Sequence, residues 1–386
     1  MLKNTKCKIH FVQADRGDSF LIELKNKQCI LIDCGYKATY RTQLKPLLKK
    51  FAEEGFRIKL LVITHTDQDH IGGAIAFLKE NGDSNNPKII PIDNIWYNGI
   101  FNTCIQFPEI RKHIADAMDI SVSEQIQKLK NQFHKLISVG DAEISLDLAE
   151  NFESLCVKNN YFLNNGKISL LAGDELIFDA CKIKAISPSL NELELFAKWI
   201  NKNTVEMLGK NYCITDKEFI SFLEQMVMVM GKDEIGIQRI EKVSDATPDI
   251  ESWFGSSSLA PMNEANRASI VFELIIEDKV LLFTGDSDSA DWINKARDYY
   301  DLVKISHHGT TKPNLKLLES VNFDKALIST NGRKNNHPEN DCLARMIMKP
   351  IKELYFNYSI SQKNELVKLE PKYLFSAIFE QEIIEL

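Results

Sequence analysis

Short apolar runs punctuated by turn residues dominate the first hundred positions. Lys8–Val12, Ser19–Leu24 and Cys29–Asp33 are rich in Ile, Leu, Val and Phe and are separated by Asp15, Gly17 and Asn26, which predicts strands of an antiparallel meander. Over Tyr40–Glu54 the period changes: Leu44, Leu47, Leu48 and Phe51 share one helical face and Gly55 ends the run, although Pro46 opposes a regular first turn. Lys59–Ile63 then reads as a buried strand that ends in THTDQDHIGG. The Gly72–Gly73 pair there predicts close backbone approach ahead of a helix over Ala74–Glu80.

The middle of the chain has a different texture. Glu109–Asn159 is helical by period (Ile126, Leu129, Phe133, Leu136, Ile137), and 159–166 is a polar break. Lys167–Pro188 returns to a strand pattern with Gly173-Asp174 as a turn, Leu190–Asn201 and Asp216–Met230 are helical again, and Lys232–Asn266 is polar without a clear period. Strands resume with a hairpin, Ser269–Ile276 and Lys279–Thr284, turned by Glu277-Asp278. A helix over Asp288–Tyr300, strands over Leu302–Ser306 and Lys325–Ser329, helices over Asn314–Ser320 and Glu339–Met348, and a strand over Ile351–Phe356 complete the alternation. The expected organisation is one α/β domain over 1–386, with 100–165 and 190–265 inserted over a fixed sheet scaffold as cover or substrate-binding elements.

Composition narrows the class. Of 386 residues, 44% are hydrophobic and 26% charged, which excludes a disordered chain, and no apolar run approaches a membrane span. The N-terminal residues show neither a secretory nor a transit pattern, and eight cysteines without a C-x-x-C pair read as reduced buried thiols, so a cytoplasmic location is expected. The net charge of −7 gives no global attraction for nucleic acid, leaving only local clusters such as Lys45, Lys49 and Lys50 or Arg333-Lys334.

The chemistry is concentrated at strand ends. His65, Asp67, Asp69 and His70 place four metal-competent side chains within six residues after a buried strand, enough for two adjacent ions, and their imidazole and carboxylate donors suit zinc, manganese or iron. Asp286, in Phe283-Thr-Gly-Asp286, points a carboxylate into the crevice at the strand ends. His307-His308-Gly309 follows another strand, where one imidazole can ligate and its neighbour donate a proton. Asn336-His337-Pro338 follows a third. Five of the eight histidines therefore fall on loops after strands, whereas His10, His113 and His134 lie inside predicted elements and read as structural.

This order of motifs resembles the metallo-β-lactamase superfamily and, more narrowly, the hydrolase domain of the ComEC-type DNA-uptake proteins and their free-standing relatives. The matching stretches are VQADRGDSFLI (12–22), LIDCG (31–35), Thr64–Gly73, NRASIV (266–271), LFTGD (282–286), SHHGT (306–310) and Asn336–Pro338. The resemblance implies a four-layer αββα sandwich of the metallo-β-lactamase type, enlarged by a large, mostly helical insertion, with one or two divalent metal ions (Zn²⁺ or Mn²⁺). It places His65 and Asp67 on one ion, Asp69 and His70 on the other, Asp286 as the bridge and His307 completing the second site. Most of the superfamily has histidine at the position of Asp67 and another near Asn266; the ComEC-like group shares both changes but has aspartate where this chain has Arg267.

The expected activity is metal-assisted hydrolysis by an activated water. Asp69 or Asp286 would orient the nucleophile as well as holding metal, His308 or His337 would protonate the leaving group, and Asn266, Ser269 and Thr310 would donate hydrogen bonds to substrate oxygens. Arg16, Arg267 or Lys312 would offset charge. The resemblance favours a phosphodiester such as DNA or RNA over the alternatives, an ester, lactone or thioester. A third expectation is an effector active only with a protein partner docked on the insertion, where Phe219, Phe222, Leu223, Met226, Met228 and Met230 form either a docking stripe or a core face. Nothing in the sequence specifies an oligomeric state, and no membrane association is expected.

Overall fold

A computed structural model describes residues 7–107, 152–179, 181–208, 249–255, 262–333 and 337–386. The predicted meander forms β1 (Lys8–Phe11), β2 (Phe20–Glu23) and β3 (Gln28–Ile32), after which the pairing becomes parallel with β4 (Arg57–Val62) and β5 (Ile95–Trp96). A second sheet contains β6 (Glu175–Phe178), β7 (Cys181–Ser187), β8 (Val271–Ile276), β9 (Lys279–Phe283), β10 (Tyr299–Lys304), β11 (Asn322–Ile328), β12 (Glu353–Phe356) and β13 (Ser376–Ile378), while β14 (Ile383–Glu385) returns to the free edge of β1. The strand orders are β14-β1-β2-β3-β4-β5 and β13-β12-β11-β10-β9-β8-β7-β6. Each sheet is antiparallel at one end and parallel at the other, the second from β9 through β13.

Side-chain alternation divides the core into three. Ile30, Ile32, Leu60, Val62, Phe272, Leu281, Phe283, Leu302 and Leu327 meet between the sheets. The intervening residues face outward: Leu31, Leu61 and Ile63 pack on the helices Lys45–Glu53 and Gln68–Asn81, and Leu282, Val303 and Ala326 on Thr311–Ser320 and Asn340–Ile347. A strand buried on both faces alternates its partners rather than its polarity. The architecture is therefore the expected αββα sandwich.

Several boundaries differ from expectation for identifiable reasons. The helix predicted to begin at Ala74 starts at Gln68 and takes both glycines into its body; a Cβ on Gly73 would lie 2.0 Å from the Cys34 carbonyl, so only glycine lets the helix pack this close. Tyr40–Glu54 begins with a π-helical turn, Tyr40–Leu44, and Pro46 then sits in the first turn of the regular segment, where its missing N–H matters least. The helix expected over Asp288–Tyr300 stops early: Ser289–Trp292 and one 3₁₀ turn are followed by β10, which starts at Tyr299 because Tyr299 and Tyr300 pair with Asn322 and Phe323 of β11. Leu190–Leu208 is longer than the predicted helix, and the β6–β7 hairpin follows the Gly173-Asp174 turn rather than using it. Most of 100–165 and 190–265, including His113, His134 and the Phe219–Met230 stripe, lies outside the described residues. The parts of these stretches that are described include the helices Ile100–Gln106 and Phe152–Lys158.

The C-terminal ends of the parallel strands β3 and β4 meet those of β9, β10 and β11 in one crevice, the place where open α/β sheets present their loops to ligands. Ile270 N–H donates to the Thr64 carbonyl (2.8 Å) and the Ser329 hydroxyl to the Gly17 carbonyl (2.7 Å), which lock the two sheets together around it.

Candidate metal centre

Residues from the first sheet are held by one carboxylate. Asp33 leaves β3 in a left-handed conformation (φ 52°) and accepts hydrogen bonds from the Thr64 N–H (2.8 Å), the Thr64 hydroxyl (2.7 Å) and His70 Nδ1 (2.8 Å). Tying up Nδ1 turns Nε2 of His70 into the crevice, the usual device by which a carboxylate orients a ligating imidazole. His65 precedes the Gln68–Asn81 helix, and Asp67 and Asp69 fall at its N-terminus, where the helix dipole favours negative charge.

From the second sheet, Asp286 follows β9 and its N–H donates to the Ser269 hydroxyl (3.3 Å). His307 and His308 follow β10 and both adopt positive φ (48° and 56°), a costly conformation for residues with side chains. Asn314 holds this turn: its Oδ1 accepts from Ser306 N–H (2.9 Å), and its Nδ2 donates to the carbonyls of Ser306 (2.8 Å) and Thr310 (2.7 Å). His308 Nδ1 donates to the Ser329 carbonyl (2.9 Å), leaving its Nε2 to face the acids.

Four imidazoles converge on a single oxygen. Asp286 Oδ2 lies 3.3 Å from His70 Nε2, 3.4 Å from His308 Nε2, 3.9 Å from His65 Nε2 and 4.0 Å from His307 Nε2. Asp67 approaches His65 Nε2 (3.7 Å) and Asp69 approaches His308 Nε2 (3.5 Å). Three candidate ligand atoms cluster tightly enough for one cation in the sets His65–His70–Asp286, Asp69–His70–His308 and Asp18–Asp286–His308. His65 Nε2, Asp67 Oδ1 and Asp18 Oδ1 are buried without a hydrogen-bond partner. Unsatisfied imidazole and carboxylate donors at such spacing fit a divalent ion of the zinc or manganese type.

The electrostatics follow from burial opposed by pairing. Burial pushes His308 down, but Asp286, Asp69 and Asp18 overcome it and hold the imidazole up at about 10. His70 is likewise raised, by Asp286 and Asp33 against burial. Burial raises Asp69, yet His308 and His70 bring it down to about 2, whereas burial prevails at Asp67 and its carboxyl is pushed up. Asp286 stays well below the usual carboxylate range: the charges of His308, His70 and Lys304 outweigh its burial.

The structure thus gathers His65, Asp67, Asp69, His70, Asp286, His307 and His308 around one crevice. His337 packs beside them, its ring 5.8 Å from that of His307, and its Nδ1 lies 3.2 Å from the Thr310 hydroxyl, which itself donates to the His307 carbonyl (2.7 Å). Ser269 is fully buried behind Asp286, and Asn266 is buried with its Oδ1 unpartnered. Arg267 does not serve the site: its guanidinium is committed to Asp291 and Glu264. Lys45, from the basic cluster on the first helix, is paired with Glu80.

Two buried residues of the crevice received no role from the motifs, although Asp18 lies within the matched stretch 12–22. Asp18 belongs to the loop after β1 and reaches His70 Nδ1 (3.9 Å) and His308 Nδ1 (3.6 Å). Lys304, at the end of β10, touches Asp18 and Asp286. The available signal for Lys304 was parity: it shares the inward face with Leu302 and is the one cation of the strand YYDLVK.

Residues 12–85 match the family model of the metallo-beta-lactamase superfamily. Among solved structures the chain is similar to a CmlA beta-hydroxylase mutant (9% identity, TM-score 0.38, covering 100% of this chain and 55% of that one). It is also similar to the metallo-beta-lactamase fold protein YhfI from Bacillus subtilis (10% identity, TM-score 0.37, covering 99% and 100%). A third similarity is to a Cronobacter sakazakii metallo-beta-lactamase with a HARLDQ motif (12% identity, TM-score 0.27, covering 95% and 83%). The chain spans about half the length of the CmlA protein. No curated protein matches the sequence.

Proposed function

We propose that this chain is a metal-dependent hydrolase and that its substrate is a phosphodiester, with nucleic acid as the substrate class. The observation that carries the reading is the convergence of four imidazoles on Asp286 Oδ2, with Asp67 and Asp69 at the flanks. His65, His70, Asp286, Asp69 and His308 would hold one or two divalent ions, with Asp67 and His307 beside them. A bound ion supplies Lewis-acid polarisation and a water acidic enough to ionise near neutral pH. The residues do the remaining work. Asp69, half-buried at the helix start, orients the attacking water. His308 is engaged by two carboxylates at Nε2, so His337, its ring 5.8 Å from that of His307, is the better-placed proton donor for the leaving group, with Thr310 setting its ring. Thr310, whose one proton goes to the His307 carbonyl, acts by accepting from His337 rather than by contacting substrate, and Asn266 is buried. Aspartate at position 67, where acyl hydrolases of the superfamily it resembles usually keep a histidine, supports a phosphodiester rather than an acyl substrate.

The test is direct. Purified protein is analysed for bound metal and assayed, with Mn²⁺ or Zn²⁺, on bis-p-nitrophenyl phosphate, on single- and double-stranded nucleic acid, and on p-nitrophenyl acetate. Hydrolysis of the phosphodiesters that falls at least 100-fold in Asp286→Asn is expected, since removing a group that holds the catalytic ion costs about two to three powers of ten or more. Absence of any transition-metal binding sinks the proposal at its base; metal-dependent cleavage of the acetate alone redirects it to an acyl hydrolase.

A further inference from the structure

We infer that Lys304 is a positioning residue that makes Asp286 a one-oxygen ligand by occupying the other oxygen of its carboxylate. The inference rests on the metal-centre reading above. It begins with β10, where Leu302 and Lys304 both face the opposite sheet, so the lysine stem lies between the sheets and its ammonium emerges at the crevice. There Nζ is ion-paired with Asp18 Oδ2, lies 3.3 Å from Asp286 Oδ1 and donates to the Gly285 carbonyl (2.7 Å). Three acceptors satisfy the three N–H groups of an ammonium. Lys304 and Asp18 are each 1% exposed and Asp286 2%, so water cannot substitute for any of these contacts.

The division of labour at Asp286 follows. Its Oδ1 faces the ammonium and its Oδ2 faces all four imidazoles, with no overlap between the two sets of contacts. A carboxylate held in this way cannot rotate to present both oxygens to one cation without breaking a buried ion pair, which is strongly unfavourable. Asp18 is fixed by the same cation, so the wall formed by residues 18, 286 and 304 is set before any metal binds. Partners of this kind control the orientation of a ligand, and their loss typically weakens metal binding by about 10–100-fold.

The test uses Co²⁺ as the probe, because its visible bands weaken as coordination number rises. Wild type, Lys304→Met, Lys304→Arg and the double variant Asp18→Asn/Lys304→Met are titrated with Co²⁺, following affinity and absorption intensity. In Lys304→Met, affinity is expected to fall at least tenfold and band intensity to drop as Asp286 turns to bind through both oxygens. Lys304→Arg retains the cation and recovers part of both. The double variant balances the lost charge and remains informative if Lys304→Met does not fold. Its cobalt spectrum stays altered if Lys304 acts through Asp286; a return to the wild-type spectrum and affinity means that Lys304 only balances Asp18, and overturns the inference. An unchanged spectrum in Lys304→Met overturns it equally. A wild-type protein that binds no Co²⁺ instead refutes the metal reading on which the inference stands.

Discussion

Asn314 shows how much of the site depends on a residue that no motif includes. Two left-handed histidines in succession are an unfavourable backbone, and three hydrogen bonds from one buried amide hold them in place. Replacing Asn314 with Ala takes away the partners of the Ser306 N–H and carbonyl in the interior and a second bond to the Thr310 carbonyl. Each orphaned group costs about 1–3 kcal/mol, so a stability loss of about 3 kcal/mol is expected by urea denaturation, together with weaker metal retention. A variant with wild-type stability would show that the turn is self-supporting. At this scale the sequence was informative about donors and silent about their holders. His65, Asp67, Asp69, His70, Asp286, His307 and His308 stand out because metal-competent residue types cluster after apolar runs. Asn314, Ser329 and Thr64 are ordinary polar residues whose roles exist only through their partners.

Among the elements, the junction of the two helices Ile100–Gln106 and Phe152–Lys158 carries a titratable contact. Glu153 accepts the N–H groups of Phe101 (3.0 Å) and Asn102 (3.2 Å) at the start of the first helix, and Gly99 is required because a Cβ there would collide with the carboxylate. Burial pushes Glu153 up to about 7 from its ordinary 4.5, although both backbone hydrogen bonds pull it down. Between those values the folded chain binds a proton that the unfolded chain has lost, so the stability contributed here is intact below about pH 4.5 and is lost as pH rises through 7. Glu153→Gln keeps the shape without the ionisation. Its melting temperature, measured by circular dichroism from pH 5 to 8, should therefore decline less than that of wild type; parallel curves would show that Glu153 does not titrate in this window. Element boundaries were legible where the hydrophobic period was long, as in the strands around the crevice. They failed where tertiary contact overrode local preference: Gly72 and Gly73 read as a close backbone approach ahead of the helix, whereas the helix takes both in and packs Gly73 on Cys34, and Tyr299–Tyr300 read as helix until β11 pairs with them.

For the molecule as a whole, the crevice concentrates buried carboxylates whose charge a bound cation would offset. Asp18, Asp33, Asp67, Asp69 and Asp286 are gathered at the junction of the two sheets, and Lys304 is the lysine that meets them. A metal that binds only the folded chain then adds stability by mass action, about 4 kcal/mol when free metal exceeds its Kd a thousandfold. Removing it with a chelator should lower the melting temperature of wild type by several degrees and leave Asp286→Asn almost unmoved, as calorimetry can show. Equal melting curves with and without chelator in the wild type would mean that no ion is linked to folding. The net charge of −7 says little about this crevice, since bound cations would neutralise acids that the composition counts in full.

The amino-acid order alone specified alternating strands and helices, the αββα arrangement implied by its motifs, and the residue types able to bind a metal, because hydrophobic period and local clustering are properties of neighbours along the chain. It did not specify the frame that holds those residues. Residues 18, 286 and 304 lie on three separate segments, and they meet only when the two sheets close and strand parity decides which side chains face inward. Which oxygen of Asp286 faces the imidazoles, and which is taken by Lys304, is settled by that closure and by the low dielectric it creates around the buried charges.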